Sequence, residues 1–241
     1  MDAGGMTQAI DGFPTMIQAV LADQMDREGS MLVDVKRAFE SSVKNSFNAP
    51  RVTRNTTARL MATCDATLYA TALQQMQSPL AQKMTQLELL PDTNPEERRR
   101  MQRYVASFAM QSPRESRMAL IRRLIDAKDA AETYANNSVQ LGIITDEAVT
   151  NTKVTKEQAA QLRSAALPGV QQMLEAQMFY IYRSVPDEEL AQYIALASTK
   201  EQKRITRDTD NALLFAASQE FASLGAQLRK IVLDMKTEHG E

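Results

Sequence analysis

Apolar residues recur at steps of three and four through nearly the whole chain, and no segment sustains the alternation of a half-buried strand. Leu32, Val35, Phe39, Val43 and Phe47 form one such stripe, and Met16, Ile17, Val20 and Leu21 form another behind Phe13-Pro14. After Pro50, Leu60, Met61, Cys64, Leu68, Ala72 and Met76 read as one continuous helix, with the Cys64 thiol on its buried side. Gly and Pro, at 8 each in 241 residues, are too scarce for an all-β fold, which needs them at its turns. The pattern predicts an all-α protein, a multi-helix bundle of about 9–10 helices. Residues 1–151 and 152–241 read as N-terminal and C-terminal helical portions packed as one unit. Gly142 and Asn151-Thr152-Lys153 mark the join.

Several helix starts are written as capping sequences. Asn94-Pro95-Glu96-Glu97 and Ser112-Pro113-Arg114-Glu115 each place a cap, a proline at the first helical position and a glutamate at the third. Thr155-Lys156-Glu157-Gln158 and Ser198-Thr199-Lys200-Glu201 read as capping boxes. The segment 168–184, carrying Val170, Met173, Leu174, Met178, Phe179, Tyr180, Ile181 and Tyr182, is apolar almost all round. That predicts the central helix of the bundle, with Leu174, Met178 and Ile181 fully inside.

Composition removes whole classes of chemistry. The net charge is −2, which gives no support for a nucleic-acid binder that must displace counterions from phosphates. Cys64 is the only cysteine and His239 the only histidine, so a Cys-rich or His-based metal site and a histidine-dependent triad have nothing to be built from. No cofactor is implied. The 14 methionines are spread over separate helices, as core filling rather than a copper site. Glu40-Ser41 lacks the rest of a lytic transglycosylase motif, and Asp208-x-Asp210-Asn211 lacks the glycine of a calcium loop. The longest apolar run, residues 212–217, is far too short to cross a membrane. Residues 1–5 show no leader, which leaves an exported protein whose leader is not part of this sequence, or a cytoplasmic one.

Phe13 to Val20 is similar to Leu167 to Leu174, and Ser78-Pro79-Leu80-Ala81-Gln82-Lys83 to Ser198-Thr199-Lys200-Glu201-Gln202-Lys203, as a diverged internal duplication would give. Shared capping grammar accounts for the same similarity. The run Pro186-Asp187-Glu188-Glu189-Leu190, then Tyr193-Ile194-Ala195 and the Ser198 to Lys203 corner, resembles the bacterial exported family called domain of unknown function 2059. Thr199 stands where that family usually has proline, and Ala81 and Glu201 where it usually has glycine. The resemblance covers about a third of the chain. It implies an all-helical, non-enzymatic periplasmic or surface protein and carries over no catalytic residue.

Two surfaces stand out as candidates. Eight arginines lie between Arg98 and Arg123 with Glu115 as the sole acid. Arg98, Arg99, Arg100, Arg103, Arg122 and Arg123 could meet an anionic partner such as an envelope component. Arg114 and Arg117, nearer the apolar arc, should pair with carboxylates at a helix–helix seam. The second candidate is a heptad seam, Leu214, Ala217, Phe221, Leu224, Leu228, Ile231 and Met235, on a helix predicted over residues 199–236, with Glu220 away from it. Phe221, Leu224, Leu228 and Ile231 would pack on the protein's own N-terminal helices, or pair with a partner helix in a homodimer. The leading functional reading is a non-enzymatic helical interaction or structural protein. The runner-up is a small-molecule or lipid carrier with an apolar cavity between helices.

Overall fold

The computed structural model describes residues 49–150 and 153–238, and among them the protein is all helical. The stripes predicted over residues 13–47, including Glu40, lie outside the described residues, as does His239. Nine helices follow in order: α1 Ala49–Thr63, α2 Ala66–Met76, α3 Pro79–Thr93, α4 Pro95–Ser107, α5 Glu115–Ala127, α6 Ala130–Thr150, α7 Lys156–Ile181, α8 Asp187–Ala197 and α9 Lys200–Glu238. A single 3-10 turn, Phe108–Met110, follows α4. None of the described helices is long and apolar enough to cross a membrane.

The helix predicted from Leu60 through Met76 is two helices. Asp65 caps α2, its carboxylate accepting from the amides of Thr67 and Leu68 at 3.1 Å each. A side chain that satisfies two orphan amides starts a new helix more effectively than it continues an old one. Cys64 therefore falls in the corner rather than on a buried stripe; its thiol is exposed, and Met61 beside it is 74% exposed.

The other caps divide the same way. Asn94 accepts from the amides of Glu96 and Glu97, and Thr155 forms the full reciprocal box with Gln158. At the start of α5 the expected Ser112 cap is absent: Arg114 holds the cap position and pairs with Asp187 of α8 instead. At the start of α9 the cap is Thr199, one residue later than expected, accepting from Gln202 at 3.3 Å, while the Ser198 hydroxyl donates back to the Ile194 carbonyl.

Pro168 does not open a helix. It lies within the 26-residue α7, as Gly142 lies within α6. A mid-helix proline removes one amide donor, here from the Ser164 carbonyl. Ser164 and Pro168 are both exposed, so water can serve that carbonyl.

The core gathers around α5, whose Met118, Ile121, Leu124 and Ile125 are all within 4% of complete burial. Met84 of α3, Leu174 of α7, and Leu190 and Ile194 of α8 close on it. The most buried helix is thus α5 and not the segment 168–184. There Leu174 is buried, but Met178 and Ile181 are only partly buried, and Ala176, Tyr180 and Tyr182 turn inward in their place. The α7 stripe is apolar all round because it borders several neighbours, α4, α5 and α6, not because it is enclosed. Helix α9, about 58 Å long at 1.5 Å per residue, lies along α1, α2 and α6. Elements from both sides of residues 151–152 are therefore packed together.

On α9 the inward line in the described part is Ala212, Ala216 and Glu220, while Leu214 is half-buried and Phe215 is 44% exposed under the guanidinium of Arg59. Glu220, expected on the outer face, is buried and grips Arg51 of α1 through both carboxylate oxygens, with Arg51 Nη2 to Oε2 at 2.6 Å. The side chains of Ala217, Phe221, Leu224, Leu228 and Ile231 lie outside the described residues.

Candidate functional site

The arginine-rich stretch is largely spent on the protein itself. Arg98 donates to the Pro91 and Asp92 carbonyls at 3.1 and 2.7 Å, covering the end of α3. Arg100 pairs with Glu97 at 2.7 Å and Glu96 at 3.6 Å, and Arg122 with Glu175 at 3.0 Å and Glu115 at 3.7 Å. The expected seam pairing is present: Arg114 and Arg117 both meet Asp187. Arg117, buried, also donates to the Tyr182 carbonyl at 2.6 Å. Glu97, expected to reach back to its own cap, instead accepts from Tyr180 at 2.9 Å and Arg183 at 3.1 Å, pinning α4 to α7. Arg99, Arg103 and Arg123 are exposed and make no ion pair or hydrogen bond among the described residues.

Polar chemistry concentrates instead where α3, α5, α7 and α8 meet. Glu88 Oε1 accepts from the Lys128 ammonium, from the Tyr182 hydroxyl and from the Tyr193 hydroxyl at 3.0 Å. Burial pushes the Glu88 carboxyl up, but the Lys128 charge and the three donors outweigh it and hold the group below the usual carboxylate range. Burial likewise acts to lower Lys128, yet the Glu88 carboxylate prevails and keeps its ammonium above its ordinary value. Tyr193 is pushed up to about 12, first by burial and then by Glu88 working against Lys128. The two charges are thus locked at neutral pH. Asp129, at φ 50°, makes the turn from α5 into α6 immediately after Lys128, a conformation that aspartate tolerates better than most residues.

Glu88 and Lys128 keep 26% and 23% of their side-chain surface, and both line a cavity of about 390 Å³ between α2, α3, α6, α7, α8 and α9. Its apolar wall includes Met76, Leu89, Leu174, Met178 and Leu196. A second, smaller cavity of about 230 Å³ adjoins it, and the two share Lys128, Thr133, Asn137, Thr206 and Asp210. Asn137 Oδ1 is buried with no hydrogen-bond partner. Asp210 has neither a hydrogen bond nor an ion pair among the described residues, and burial pushes its carboxyl up to about 6. The charged groups around Asp210 are Lys128 and Asp129 at the α5–α6 corner, Glu88 on α3, and Lys203 and Arg207 on α9. None of them offsets the effect of burial.

A pH dependence follows with a definite sign. In the unfolded chain Asp210 titrates near pH 4, and in the fold near 6. The fold therefore carries the full cost of the ionised group above about pH 6 and regains that stability as pH falls from 6 towards 4. Asp210→Asn should raise stability at pH 7 by on the order of 2 kcal/mol and flatten the profile between pH 4 and 6 in urea melts. An unchanged profile would show that the carboxylate is well solvated.

Sequence reasoning missed this site. One signal was present: stepping back from Leu214 by the heptad rhythm reaches Asp210, Arg207 and Lys203, so the seam turns polar where it borders the cavities. Glu88, an acid enclosed by Leu87, Leu89 and Leu90, was another. No group of three or more metal-binding side chains occurs among the described residues. Comparison with protein-family models, curated proteins and solved structures finds no match for the chain.

Proposed function

We propose that the protein is a non-catalytic binding protein that holds a small molecule in the cavity between α3, α6, α7, α8 and α9. The observation that carries this reading is the pairing of an apolar wall with unsatisfied polar groups, Asn137 Oδ1 and the Asp210 carboxylate, inside a space of ligand size. Binding without turnover fits the locked charges. Glu88 is held ionised by three donors and Lys128 is held protonated, so neither is poised to move a proton near pH 7. Native mass spectrometry of the purified protein tests the reading. A small molecule bound one-to-one is expected, and it should be lost in Thr206→Trp, which fills the shared mouth from an exposed position on α9. Finding each protein at its own ligand-free mass would argue against a carrier.

An exported, bacterial setting and an anionic envelope partner are a second part of the proposal. The resemblance of the 186–203 region supports the first, and Arg99, Arg103 and Arg123, exposed and without an ion pair among the described residues, support the second. Cell fractionation of the natural host would decide the compartment.

A further inference from the structure

Resting on the carrier reading, we propose that the cavity ligand is a small organic amine, bound as its ammonium ion between Asp210 and Asn137, with its carbon skeleton along the Leu89–Leu174–Met178 wall. Both polar groups lie at the junction of the two cavities, one on α9 and one on α6. Asn137 Oδ1 is buried without a donor, and the Asp210 carboxylate has no hydrogen bond or ion pair, among the described residues. A carboxylate left unpaired in such a place is matched by a charge-bearing donor. An alkylammonium group supplies three N–H donors and one positive charge, which serves the carboxylate and the amide oxygen together.

Lys128 lines the same junction but does not fill this role, because its ammonium is engaged by Glu88 and makes no hydrogen bond or ion pair with Asp210. All three donors that reach Glu88 do so on Oε1, and the Lys128 ammonium among them leaves the pair close to neutral overall, so Asp210 is the carboxylate at the junction without a cation of its own among the described residues. An anionic ligand would have to displace that arrangement and face Asp210. Lys203 and Arg207, exposed on α9, border the smaller cavity and stand outside the larger one.

Isothermal titration with hexylammonium, hexanol and hexanoate, probes of equal chain length and different charge, tests the proposal. Hexylammonium is expected to bind at least about tenfold more tightly than either of the others, and Asp210→Asn should abolish that preference while leaving hexanol binding in place. Asn137→Leu should weaken hexylammonium by about threefold to tenfold. Its fold is checked by its melting curve. Equal or tighter binding of hexanol or hexanoate would overturn the amine assignment and leave the carrier reading standing. A preference for hexylammonium that survives Asp210→Asn would also overturn it. Binding of none of the three would count against the carrier reading itself.

Discussion

Glu88→Ala is expected to destabilise the protein by about 3 kcal/mol. The carboxylate is the shared acceptor for Lys128, Tyr182 and Tyr193, so its removal strands one ammonium and two hydroxyls at once. Breaking one side of a fully buried pair costs about 3–5 kcal/mol. Here a quarter of each side chain borders the cavity, which places the effect at the low end. The double variant Glu88→Leu with Lys128→Met should recover much of the loss, since apolar side chains of similar volume need no partner. Urea melts of the two proteins decide it. A Glu88→Ala cost below about 1 kcal/mol would mean that water in the cavity solvates Lys128 as well as Glu88 does.

Leu124→Ala should be at least as damaging, at about 3–5 kcal/mol. Leu124 has no exposed surface and is ringed by Ile121 and Ile125 of its own helix and by side chains from α3, α7 and α8. That surround has little freedom to collapse into the space vacated. Leu174→Ala, beside an existing cavity, should cost less, about 2–3 kcal/mol. Leu162→Ala, at a site 49% exposed, should fall within about 0.5 kcal/mol of the parent. If Leu174→Ala proved the more costly of the two core changes, the centre of the core would have to be moved from α5 to α7.

Helix content was legible because it depends on local spacing, and spacing is what a sequence displays directly. The Asn94 and Thr155 caps were legible for the same reason. What was not legible depended on partners distant in sequence. Arg114 leaves the cap grammar of Ser112-Pro113 because Asp187 lies across the interface. Glu220 turns inward because Arg51, 169 residues away, meets it there. Cys64 leaves the stripe that spacing predicts because its neighbour Asp65 caps α2, and that capping outweighs the apolar rhythm on either side. The cavity was the least visible of all. A void has no residue of its own, and its two unsatisfied groups, Asn137 and Asp210, look in sequence like ordinary polar positions on helix surfaces.

The placement of α9 bears on how the chain is made. Among the described residues, α1 has its extensive packing against α9, and α2 also rests on it. The Gln202 side chain donates to the Ala72 carbonyl at 2.9 Å, and Thr199 to the Gln75 side chain at 3.3 Å, tying the α8–α9 corner to the end of α2. On the ribosome, α1 and α2 emerge more than a hundred residues before the helix that covers them. Domains generally form as units once their sequence is available, so α3 to α8 can gather around Leu124 while the apolar faces of α1 and α2 still wait. Chains released short of α9 would keep those faces open and lack the wall that carries Asp210. Quality control that senses exposed apolar helices would therefore distinguish a chain in which α9 has docked from one interrupted before it.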